Sequence, residues 1–133
     1  MTESPNTFRI PIIKLHGKLI VSIQMALSDR LVMQLKDDIT SRIERVKTTG
    51  LIIDVSGIDV MDSYISRALR DMGLIAKLMG VRTVISGLDP MIAMTLVEMG
   101  LDLKGVASAL NLETAIELLD RKPSKKRGKG AAA

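Results

Sequence analysis

The stretch Leu51-Ile52-Ile53-Asp54-Val55-Ser56-Gly57-Ile58-Asp59-Val60-Met61-Asp62-Ser63 decides how this chain folds. Its first five residues form a short β-branched run, the pattern of a strand covered on both faces. Ser56, Gly57, Ile58 and Asp59 are turn formers that end the strand and make an exit loop. From Asp62 onward the period changes. Ile65, Leu69, Met72, Ile75 and Met79 recur at spacings of three and four, the apolar stripe of an amphipathic helix, and Gly80 supplies its C-terminal stop. Gly73 weakens the interior of that helix only modestly. A strand leading directly into a helix is half of a crossover to a parallel neighbour.

That neighbour follows at once, in Val81, Thr83, Val84 and Ile85. Asp89 and Pro90 are a capping residue and a proline at the first helical position, opening a third helix over Met91 to Met99 that stops at Gly100. Leu103 to Val106 predict a short edge strand, and Asn111 caps a final helix through Ile116 and Leu119 to about Arg121. Upstream, Phe8, Ile10 and Ile12 alternate, as do Leu19, Val21 and Ile23, with a tight turn at His16, Gly17 and Lys18 between them. Ser28 and Asp29 open a helix with Leu31, Leu35, Ile39, Ile43 and Val46 on one side, ended by Gly50. The order is β-β-α-β-α-β-α-β-α. The fold class is α/β, a mixed, mostly parallel sheet with helices packed on it.

With 133 residues the chain has room for one domain, expected over residues 8–121, after a flexible lead at 1–7. The net charge of +4 misleads about that domain. Arg121, Lys122, Lys125, Lys126, Arg127 and Lys129 concentrate positive charge at the end without an acid, so residues 1–120 are slightly acidic. Residues 122–133 read as a disordered basic tail, and the domain itself has no electrostatic footprint for nucleic acid. Cysteine is absent, which removes disulfides and thiolate chemistry and fits a reducing compartment. No stretch approaches a membrane span and no leader pattern opens the chain, so the expected location is cytoplasmic, away from the membrane.

Catalytic constellations are missing too. The glycines nowhere form a dinucleotide or Walker phosphate loop. His16 is the only histidine, so neither a Ser-His-Asp triad nor a histidine metal site can be assembled. Asp54, Asp59 and Asp62 gather near the C-terminal end of a parallel strand, where α/β folds place ligands, and two of them could hold a hard cation. Loop aspartates more often bond nearby backbone, and that is their expected role here. Phe8 and Tyr64 are the only aromatics, too few for a base-stacking platform. No cofactor is expected.

Ser63 stands where the exit loop turns into a helix. On local physics alone its hydroxyl is an N-cap, accepting a bond from an unpaired amide of the first turn. Ile65 begins the core stripe. Tyr64 either covers its own helix or offers an exposed contact, since tyrosine is enriched at interfaces. The methionines Met72, Met79, Met94 and Met99 fall at helical spacing and read as core filler.

The segment from Leu51 to Ser63 resembles the strand, loop and Asp-Ser helix start of STAS domains, the anti-sigma factor antagonist family. The element order and length are similar as well, over roughly residues 8–121. The usual family pattern continues after the serine with a small residue and glycine, whereas this chain has Tyr64-Ile65-Ser66-Arg67. That departure, with Pro11-Ile12-Ile13-Lys14-Leu15, Leu19-Ile20-Val21-Ser22-Ile23-Gln24 and Lys77-Leu78-Met79-Gly80, is most similar to the single-domain scaffold subunits of stressosomes within the family.

The resemblance implies a non-catalytic scaffold in a stress-response signalling pathway, one that sequesters a switch serine kinase and releases it on phosphorylation of Ser63. It also implies assembly, as a homo-oligomer or hetero-oligomer, with longer co-antagonist proteins that share the domain, and resetting by a metal-dependent serine phosphatase. Asp62 and Ser63 carry over residue by residue; Asp59, Met61, Asp62 and Tyr64 are the expected partner-facing surroundings. A second reading keeps the fold and makes the chain a soluble antagonist that captures an anti-sigma factor directly. A third, a small-ligand or nucleotide-binding protein using Asp54, Asp59 and Asp62, lacks a phosphate loop and a base.

Overall fold

The computed structural model describes residues 9–100, 103 and 105–121. The expected lead, the basic tail and Phe8 lie outside them. The order of elements is β1 (Ile12–Leu15), β2 (Lys18–Ser22), α1 (Asp29–Arg45), β3 (Gly50–Asp54), α2 (Ser63–Leu78), β4 (Arg82–Ser86), α3 (Pro90–Glu98), β5 (Ala107–Ala109) and α4 (Leu112–Asp120). This is the expected β-β-α-β-α-β-α-β-α order.

The five strands lie side by side in sequence order. β1 and β2 form an antiparallel hairpin, and every later pairing is parallel. The hairpin turns at His16, with φ of 52°, and Gly17, with φ of 79°, the left-handed conformation that a two-residue connection needs.

Alternation along the strands divides the core in two. Leu19, Val21 and Ile23 from β2 and its extension, Leu51 and Ile53 from β3, and Ile85 from β4 face α1, α2 and α3. Ile20, Ile52 and Val84 face α4, where they meet Ala115 and Leu119. Both faces of the central strands are therefore covered, which is why they read as unbroken apolar runs. On the α4 side the buried ammonium of Lys18 pairs with Asp120 and bonds the His16 carbonyl, tying the hairpin to the end of the last helix.

Several expectations need correction. Gly50 does not end α1, which stops at Arg45 with Val46 as its cap. Gly50 is the first residue of β3, and a Cβ there would lie 2.6 Å from Leu119 Cδ1, so the glycine makes room for α4. The last strand forms at Ala107–Ala109, not at 103–106. Before it, the Val106 amide bonds the Leu103 carbonyl around Gly105 at φ +83°, a turn instead of an extended run. Met72 is core, but Met79, Met94 and Met99 are 36%, 58% and 50% exposed. α3 is short and apolar on all sides, and Leu96 is its buried residue, so helical spacing did not tell which methionines point inward.

Candidate functional site

The C-terminal ends of the parallel strands and the start of α2 form one rim. β3 leaves the sheet at Asp54, and the Val55 amide still bonds the Ser86 carbonyl of β4 at 2.9 Å. A turn closed by the Ile58 amide on the Val55 carbonyl then carries the chain across the end of β2. A Cβ at Gly57 would stand 3.0 Å from the Gln24 backbone, so this crossing suits glycine.

Asp62 ends the loop in extended conformation and caps α2. Its Oδ1 accepts from the Ile65 amide at 2.9 Å, and its carbonyl accepts from the Ser66 amide and hydroxyl. Ser63 is thus the first helical residue and not the N-cap the sequence suggested. A carboxylate is the stronger acceptor at a helix N-terminus, where the positive end of the helix dipole favours negative charge. Displaced from capping, the half-buried Ser63 hydroxyl turns along the helix surface, where Arg67 Nη2 donates to Ser63 Oγ at 3.5 Å.

Tyr64 is exposed, and its phenol lies near Asp29 in the first turn of α1. Desolvation, then hydrogen bonding toward Asp29 and the charges of Asp29 and Asp62, raise the phenol pKa above its ordinary value. The pair joins the start of α2 to the start of α1. Asp59 is exposed on the loop.

Met61, expected among the partner-facing residues, is instead buried in the main core at 5% exposure. An unbranched thioether below the loop fills the gap between sheet and helix start, and burying it is favourable. Val60 takes the outer position at 77% exposure. With Met25, Leu27, Ile58 and Tyr64 it lines a shallow depression beside Asp62. Met25 and Val60 were not picked out from the sequence, because single exposed apolar residues in loops have no periodicity to mark them.

Asp54 stands apart from this group. Its Oδ1 accepts from Ser86 Oγ at 3.0 Å and its Oδ2 from Ser56 Oγ at 2.8 Å, within the aligned row Ser22, Asp54 and Ser86 on the α4 side of the sheet. Asp62 is engaged in capping. Among the described residues no three His, Asp or Glu side chains come together as metal ligands, and no helix is long and apolar enough to cross a membrane.

A sheet of this order, with an Asp-Ser helix start at the C-terminal rim of β3, defines a class. The STAS domain model matches residues 9–115, and the chain belongs to the STAS domain family. Among solved structures it is similar to a serine-to-glutamate variant of Moorella thermoacetica RsbS, with 39% identity and a TM-score of 0.73 over 84% of this chain and 95% of that one. It is also similar to a chain in the molecular architecture of the stressosome, a signal integration and transduction hub, at 40% identity and a TM-score of 0.72 over 82% of this chain and 95% of that one. The RsbT co-antagonist protein RsbRC of Bacillus subtilis is 37% identical over 70 residues, 53% of this chain. The match spans only 25% of that longer protein.

Proposed function

We propose that this chain is a non-catalytic scaffold and antagonist subunit of a stressosome-type assembly, holding a switch serine kinase while Ser63 is unmodified and releasing it once Ser63 is phosphorylated. The observation that supports this most strongly is the likeness to RsbS across 95% of that chain, with Ser63 at the first position of α2 on the open rim. The similarity to an RsbT co-antagonist supports shared assembly with longer STAS proteins.

In the modification step Ser63 Oγ attacks the γ-phosphorus of ATP held by the kinase. The bond to the ADP oxygen breaks, and the hydroxyl proton passes to a base of the kinase. Nothing in this chain needs to act as that base, since Asp62 is already occupied by the Ile65 amide. The product places about 1.5 to 2 negative charges beside Asp59, Asp62 and Tyr64. A partner packed on that rim would face a large hydrated anion, while α2, already capped, loses little. A metal-dependent phosphatase that hydrolyses the phosphoserine restores the first state.

Calorimetry with the cognate kinase tests the reading. Ser63→Ala is expected to bind like the unmodified protein and Ser63→Asp to bind at least about tenfold more weakly. Equal affinities would end the switch proposal. Sizing the protein with a co-antagonist separates the scaffold from a lone antagonist of an anti-sigma factor, because a scaffold enters a particle many times its own mass.

A further inference from the structure

Ser63 Oγ already has a cationic neighbour. Arg67, one turn further along α2, donates to it from Nη2 at 3.5 Å, and the Arg67 side chain is exposed. Two further cations of α1 and α2 are committed elsewhere: Lys36 and Arg70 both face Asp71, at 3.6 Å and 3.8 Å. Arg67 enters no salt bridge among the described residues. Its guanidinium has five donors, and among the described residues this long contact is the one hydrogen bond it makes.

We propose that Arg67 is the phosphate-binding residue of the switch, closing on phosphoserine 63 as a charge-assisted pair within α2. This rests on the reading of Ser63 as the modified residue. The phosphate would arrive among like charges, with Asp59 on the loop, Asp62 at the cap and Asp29 on α1 near Tyr64. The Asp62 carboxylate is already bonded to the Ile65 amide, so the cap cannot be exchanged for the phosphate without losing it. Arg67 is a cation that already contacts the serine oxygen. An acidic group four residues before a basic one is the favourable order on a helix, and a planar guanidinium matches two phosphate oxygens at once.

The pairing alters what a partner meets. In the unmodified protein a single long contact to Ser63 Oγ holds the exposed Arg67, which leaves its other donors to a docked kinase; in the phosphoprotein it is drawn onto α2. Release would then combine the bulk of the phosphate with withdrawal of a cation. An aspartate at position 63 reproduces only part of this, having a shorter reach and less charge.

The test installs phosphoserine at position 63 of the full chain by genetic encoding and follows the phosphorus resonance through a pH titration. The second phosphate pKa, ordinarily near 6, is expected about 0.5 unit lower with Arg67 than in Arg67→Gln, with Arg67→Lys between them. The difference shrinks as salt is raised. Coincident titrations of wild type and Arg67→Gln would overturn the proposal. Because no kinase transfers the phosphate, the result does not depend on Ser63 being a kinase substrate. Conversely, a kinase released by phosphorylation with no difference between the titrations would keep the switch and remove Arg67 from it.

Discussion

The Asp62 carboxylate accepts the Ile65 amide at 2.9 Å, so the residue before Ser63, and not Ser63 itself, caps the helix. Cap and helix-start hydroxyl belong to adjacent residues in separate positions. Removing the cap by Asp62→Ala is expected to cost about 1 kcal/mol and lower the thermal midpoint by roughly 4 °C, whereas Asp62→Asn stays close to wild type. Ser63→Ala, by contrast, is expected within about 0.5 kcal/mol of wild type. Thermal melts of the three variants check the division; a larger loss from Ser63→Ala than from Asp62→Ala would reverse it.

Gly87 makes a sharper prediction. Its φ is +78°, and a Cβ would lie 2.8 Å from Ser56 Cβ, 2.9 Å from Asp54 Oδ1 and 3.2 Å from the Ser56 amide nitrogen. Gly87→Ala therefore combines a left-handed residue with a clash against the serine-aspartate row, and a loss of about 2 kcal/mol or more is expected. Denaturant midpoints measure it, and an unchanged midpoint would show that the loop relaxes freely.

Much of this architecture was legible because period and punctuation agreed. The β3 run, its turn formers and the α2 stripe each point one way, and the Asn111 and Asp89 caps fall where expected, bonding the Thr114 and Met91 amides. What escaped the sequence depends on residues far along the chain. Gly50 reads as a helix stop, yet its lack of a side chain serves Leu119, which no local pattern connects to it. Met61 reads as loop surface because its burial comes from the sheet beneath. Asp62 and Ser63 are both good caps, and only backbone geometry decides between them. The Asp-Ser site was placed by family resemblance; local physics would have left Ser63 a cap.

Thr83 has a buried hydroxyl with no hydrogen-bond partner among the described residues, at 6% exposure on β4. It faces the side of the sheet that otherwise presents Val81 and Ile85. An unsatisfied buried donor costs free energy that a methyl group of the same shape does not. Thr83→Val is thus expected to stabilise the fold by about 1 kcal/mol, raising the urea midpoint at unchanged slope. A lower midpoint would mean that the hydroxyl has a bonding role.

Tyr64 offers a reading of the rim through pH. Desolvation, hydrogen bonding toward Asp29 and the charges of Asp29 and Asp62 all favour the neutral phenol, placing its folded pKa above 10.0. The unfolded chain loses this proton near 10. Above that point the native state holds a proton the unfolded state has released, so stability is complete below about pH 10 and declines as pH rises through the folded pKa. The chain has one tyrosine and no tryptophan, so phenolate absorbance follows Tyr64 alone. Its midpoint is expected above 10.0 in the native protein and closer to it in Asp29→Asn, where the acceptor loses its charge. Tyr64→Phe is expected to flatten the alkaline decline in stability. If Asp29→Asn titrates as the native protein does, the link between the starts of α1 and α2 is not made through this pair.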